Sequence, residues 1–146
     1  CNDISVNLIG TVDRIDFFDK QLRIIDYKSG MISAKELIIR SWDDLITKNS
    51  NTKSFQLMMY SYLYLKNYKN QISVIAGNYS FKNIKEELLC IKNKNENKPM
   101  LIGNEEINYF EIQLIKLLNE ILDKNKPFEQ IDNSCSCDYC KALAIF

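Results

Sequence analysis

The chain of 146 residues contains no histidine. That absence excludes Ser/His and Cys/His nucleophilic catalysis, histidine general bases and imidazole ligands for zinc within these residues. Net charge is missing too. Nineteen basic residues balance nineteen acidic ones and the isoelectric point is near 6.5, so no overall basic field points to nucleic acid. This counts against a standalone DNA binder and suits a module fed by a partner that grips the substrate. No run approaches the roughly 20 apolar residues of a membrane span, and no signal peptide is visible; a cytoplasmic location is expected. The chain does have enough length for a core: 46% of its residues are hydrophobic, which predicts one globular domain over residues 1–146.

The most informative segment is Leu22-Arg23-Ile24-Ile25-Asp26-Tyr27-Lys28, an apolar run ending in polar residues and bounded by Asp19-Lys20 and Ser29-Gly30. It reads as a strand. Side chains alternate faces along a strand, so Asp26 and Lys28 project to the same side. Taken alone they would be an ordinary ion pair at a strand end, worth little if exposed. Thirteen residues before Asp26 lies Asp13, in Gly10-Thr11-Val12-Asp13-Arg14-Ile15-Asp16. If the two segments form a hairpin, Asp13 brings a second carboxylate to the same point. Two hard oxygen ligands with open positions suit Mg²⁺ or Mn²⁺ and leave room for substrate phosphate. A lysine beside them suits the phosphate itself. The pattern is that of a phosphodiester-cleaving site.

These segments, together with Phe55-Gln56-Leu57-Met58-Met59-Tyr60 downstream, resemble the PD-(D/E)XK nucleases, and specifically their RecB-like branch with its Gln-x-x-x-Tyr helix. The resemblance covers residues 4–82 well and the C-terminal stretch more loosely. It implies an α/β fold: a mixed central β-sheet flanked by helices, with a restriction-endonuclease-like core. It implies Asp13, Asp26 and the backbone carbonyl of Tyr27 as metal ligands, with one or two divalent ions activating water and stabilising the leaving oxygen. Lys28 would orient the attacking water or neutralise charge on the phosphorus. Gln56 and Tyr60, four apart on one helix face, would steer Lys28 and a phosphate. Asp16 is expected to hold the turn or Arg14 rather than a metal. The implied activity is Mg²⁺- or Mn²⁺-dependent hydrolysis of DNA, exonucleolytic, in repair or recombination, with a helicase domain or subunit as partner.

Around these motifs, Ile4-Ser5-Val6-Asn7-Leu8-Ile9 alternates as a half-buried strand. The chain opens on Cys1 and enters this segment almost at once. A C-terminal fragment of a longer protein is therefore expected, with a family helix carrying a His or Glu metal ligand lying upstream and little activity in the fragment alone. Ser33 and Glu36 form a capping-box pattern for a helix through about Ile46. A second helix, apolar nearly all round, is predicted from about Ser54 to Tyr68. Strands follow at Gln71–Phe81 and Glu87–Lys92, and a long amphipathic helix at Glu105–Lys124.

Five cysteines complete the inventory. Cys90 falls in a predicted strand and reads as core. Cys135, Cys137 and Cys140 have metal-like spacing. Some RecB-like nucleases close a four-cysteine iron–sulfur cluster with one upstream cysteine and a tail of Cys-x-x-Cys and a further Cys six residues on. Cys137 and Cys140 match that pair, but the third position is Phe146. A 4Fe–4S cluster or zinc is therefore not expected, and Tyr139 and Phe146 are expected to pack the tail onto the body. Two other readings compete with the nuclease: a nuclease-like module without activity, serving as a DNA-binding wall or a protein interface, and a cysteine-stabilised interaction domain.

Overall fold

The strand alternation of Gln21–Lys28 organises the whole domain. The computed structural model describes residues 4–68, 70, 73–83 and 87–128. Along the chain the described elements are β1 (Arg14–Phe18), β2 (Gln21–Lys28), β3 (Ile38–Ile39), α1 (Asp44–Thr47), α2 (Thr52–Asn67), β4 (Ile75–Ser80), β5 (Leu89–Cys90), β6 (Lys92–Asn93) and α3 (Asn104–Leu122). Short 3-10 turns lie at Ala34–Leu37, Asn49–Asn51 and Phe81–Asn83.

β1 and β2 form an antiparallel hairpin, from Arg14↔Ile25 to Phe18↔Gln21. Its two-residue loop, Asp19-Lys20, has φ of 47° and 62°, the doubly left-handed turn whose twist suits a tight hairpin. Parallel neighbours need a crossover, and the chain from Ser29 to Val74, which contains α2, supplies it. β4 then pairs with β2 in parallel, setting Asp26 opposite Asn78 and Lys28 opposite Ser80. β5 closes against β4 in antiparallel fashion, giving the mixed order β1-β2-β4-β5. Close approach is required at Gly77, where an added Cβ would lie 2.7 Å from the Leu89 carbonyl oxygen.

Ile24 and Ala76 point to one face and are fully buried beneath α2. Ser54, Leu57, Met58, Ser61 and Leu65 form the buried stripe of that helix, at the three- and four-residue spacing of one face. α2 is thus less uniformly apolar than expected. The hydroxyls of Ser54 and Ser61 are satisfied by the carbonyls of Glu36 and Leu57. α3 packs on α2 through Phe110, whose ring centroid lies 5.4 Å from that of Phe55 and 5.9 Å from that of Tyr62. Full burial of a side chain such as Phe110 stabilises the fold by about 1.5–3 kcal/mol. The result is a mixed sheet with flanking helices, a restriction-endonuclease-like α/β fold.

Three local expectations differ from the structure. Residues 4–12 make no strand: Ile4 and Val6 are exposed, and the segment pairs with none of the described strands. Gly10 instead passes against α2, where a Cβ would stand 3.0 Å from Leu63 Cδ1. The Ser33/Glu36 capping box does form, but it opens only a 3-10 turn. The β-branched pair Ile38-Ile39 leaves the helix to become β3, parallel to Lys92-Asn93 of β6. The predicted strand at Glu87–Lys92 likewise splits in two. Ile91, fully buried, donates its N–H to Ala76 and accepts from Met100, and on either side the chain pairs with a different sheet.

Candidate active site

Asp26 is buried in the sheet, 5% exposed, so its charge must be paired. Two donors meet on one of its oxygens. Lys28 Nζ lies 2.7 Å from Oδ2, and Asn78 Nδ2 donates to the same atom at 2.8 Å. The same-face spacing of Asp26 and Lys28 along β2 makes the first contact. The in-register pairing of β2 with β4 makes the second.

From Lys28 the network runs onto α2. Its ammonium also donates to Gln56 Oε1 at 2.7 Å, and Gln56 Nε2 donates to the Tyr60 hydroxyl at 2.9 Å. Each polarity is forced: an ammonium has only donors, so the glutamine must offer it the carbonyl and turn its NH₂ to the phenol. Tyr60, accepting there, keeps its own proton to offer elsewhere. A cavity of about 540 Å³ opens beside these groups, lined by Lys28, Thr52, Lys53, Phe55, Gln56, Met59 and Tyr60. It is large enough for part of a nucleotide chain, with two cations on its rim.

Asp13 stands immediately before β1. Its Oδ2 accepts the N–H of Tyr27 at 2.8 Å, which ties it to the backbone one residue beyond Asp26. The structure therefore joins Asp26, Lys28, Gln56 and Tyr60 in one hydrogen-bonded chain and fastens Asp13 to the same strand end. Tyr27 itself turns its ring to the opposite face, stacked on Phe81 with centroids 5.5 Å apart. Asp16 also faces that side. It takes Arg23 through two hydrogen bonds of 2.7 and 2.8 Å and Arg14 at 2.7 Å. Arg23, then Arg14, hold its carboxyl below the usual carboxylate range.

The donor chemistry at Asp13 and Asp26 fits a divalent cation. Both described donors to the Asp26 carboxylate fall on Oδ2, leaving the other oxygen for a ligand. Among the described residues no three Asp, Glu, His or Cys side chains gather into a closed cage. Mg²⁺ does not demand one, since it is commonly held by one or two carboxylates with waters and substrate phosphates.

Two residues, one in the site and one in the ion pair on the opposite face, escape motif reading. Asn78 is an amide in the otherwise apolar run Val74-Ile75-Ala76-Gly77, and a buried polar side chain there signals a partner. That partner is 52 residues away in sequence. Arg23 is hidden because its partner, Asp16, belongs to the motif on the neighbouring strand. Cys90 lies half-buried in β5, and burial pushes its thiol up to about 11, the behaviour of an unreactive core cysteine. Cys1, Cys135, Cys137, Tyr139, Cys140 and Phe146 lie outside the described residues. Among the described residues, no helix is long and apolar enough to cross a membrane.

A mixed sheet that presents a carboxylate and a lysine two residues apart at a strand end, with a second carboxylate bonded to the same strand, is the framework expected of a phosphodiester-cleaving α/β domain. The family comparison agrees: the profile of the PD-(D/E)XK nuclease superfamily matches residues 2–145. The chain belongs to this superfamily, whose members are generally metal-dependent nucleases. Comparison with curated proteins and with solved structures finds no match.

Proposed function

We propose that the domain is a Mg²⁺- or Mn²⁺-dependent deoxyribonuclease of the RecB-like kind, an exonuclease working in DNA repair or recombination beside a helicase. The observation that carries the nuclease reading is the placement of Lys28 Nζ, 2.7 Å from both Asp26 Oδ2 and Gln56 Oε1. A lysine so held is a fixed positive charge beside a carboxylate, aimed at the point where a phosphate would gain charge. Asp13, Asp26 and the Tyr27 carbonyl would hold the cation, which when bound supplies Lewis-acid stabilisation and a more acidic water. Lys28 orients the incoming water or neutralises the phosphoryl oxygens. Gln56 fixes the lysine in place, and Tyr60 can donate its proton to a phosphate oxygen. The RecB-like assignment rests on the Gln56/Tyr60 pair. The helicase partnership rests on that likeness and on the zero net charge, which leaves the grip on DNA to another surface.

The test uses the protein at its natural length, with end-labelled linear duplex and covalently closed circular DNA. Linear DNA should shorten from an end in Mg²⁺ or Mn²⁺, closed circles should persist, and a chelator should stop the reaction. Cutting of closed circles would make the enzyme an endonuclease. Intact linear DNA in both metals would remove the nuclease assignment.

A further inference from the structure

We infer that Asn78 is a positioning residue that fixes which oxygen of Asp26 is presented to a divalent cation, an inference that rests on Asp26 being a cation ligand. Asn78 sits on β4 directly across from Asp26 on β2 and is fully buried. Its Nδ2 donates to Asp26 Oδ2 at 2.8 Å and reaches the Asp26 backbone carbonyl at 3.3 Å. An ionised carboxylate only accepts hydrogen bonds, with two lone-pair sites on each oxygen. Asn78 and Lys28 together fill those of Oδ2, which sets the plane of the group and assigns the cation to Oδ1.

The two donors are not equivalent. Lys28 ends a long flexible stem, is partly exposed, and divides its protons between Asp26 and Gln56. A phosphate entering the cavity beside Lys28 offers a third acceptor, and the ammonium can turn toward it. Asn78 has no such freedom. Its side chain is short and enclosed, and the β2–β4 ladder holds its backbone. When Lys28 is drawn to substrate, Asn78 is the contact that keeps Asp26 oriented.

A second observation separates this role from plain packing. With Nδ2 committed to Asp26, Asn78 Oδ1 is left buried with no hydrogen-bond partner among the described residues. An unpaired buried carbonyl is unfavourable. A leucine, branched in the same way though bulkier, would leave no carbonyl unpaired, but it would offer no donor to the buried Asp26 carboxylate. A residue present only to fill space would therefore not be an asparagine, whereas a donor to Asp26 must be an amide or its like.

The experiment measures Mn²⁺ binding by electron paramagnetic resonance, with thermal unfolding in the absence of metal, on the wild-type protein at its natural length and on Asn78→Leu and Asp26→Asn. Asn78→Leu should still unfold cooperatively, at a somewhat lower temperature because the buried Asp26 carboxylate has lost a donor, yet bind Mn²⁺ about 10- to 100-fold more weakly, the usual effect of removing an outer-shell hydrogen bond to a metal ligand. Asp26→Asn should lose the site. Unchanged Mn²⁺ affinity in Asn78→Leu, alongside loss in Asp26→Asn, would overturn the role of Asn78 and leave the nuclease reading standing. Equal binding by wild type and Asp26→Asn would remove Asp26 as a ligand, and this inference with it. If Asn78→Leu does not fold, Asn78→Ser, whose hydroxyl is too short to reach Oδ2, should show the same loss. Wild-type affinity there would equally overturn the proposal.

Discussion

Asp26→Asn is expected to lower metal-supported DNA cleavage by about a thousandfold or more, while the fold survives. The substitution is nearly isosteric. The amide oxygen can still accept from Asn78 and Lys28 in place of Oδ2, so the buried contacts of 2.7 and 2.8 Å persist. What disappears is the negative charge, and with it the attraction for a hydrated divalent cation. Activity and stability should therefore separate. Cleavage by the full-length protein falls to background, and the circular dichroism spectrum and melting temperature stay close to wild type. Wild-type cleavage by this variant would refute the mechanism.

Lys28→Ala is expected to cost about a hundredfold or more in cleavage by a different route. Removing the ammonium takes away the charge facing the phosphate, and Gln56 Oε1 loses its donor. Cation affinity should hold or rise, because a positive group beside Asp26 has gone. In the metal-free protein the buried Asp26 carboxylate then has Asn78 as its described donor, a loss of about 1–3 kcal/mol. Bound Mn²⁺ should recover part of it by binding only the folded state. The signature is a variant that binds Mn²⁺ normally, is stabilised by it more than wild type, and cleaves poorly. A variant that loses metal binding instead would show that Lys28 organises the ligands rather than meeting the phosphate.

Much of this arrangement was legible in the sequence because it is local. Asp26 and Lys28 share a face by strand alternation, Gln56 and Tyr60 by helical spacing, and the hairpin follows from two short runs around Asp19-Lys20. The long helices α2 and α3 also announce themselves by periodicity. The parts that escaped are those whose cause lies far along the chain. Ile38-Ile39 leaves its capped turn because Lys92-Asn93 offers it a strand partner. Ile4–Ile9 alternates like a strand but pairs with none of the described strands, and alternation without a partner makes no ladder. Asn78 reads as an oddity in an apolar strand until parallel pairing sets it beside Asp26.

The account stands or falls on Asp13 and Asp26 sharing one cation at the end of β2. The direct measurement is crystallography on Mn²⁺-soaked crystals of the full-length protein, with anomalous scattering recorded at the manganese edge. The account predicts a single strong anomalous peak, or two close together, at about 2 Å from a carboxylate oxygen of each aspartate, with the Tyr27 carbonyl in the same shell. Manganese bound elsewhere, with Asp13 turned away from Asp26, would contradict it.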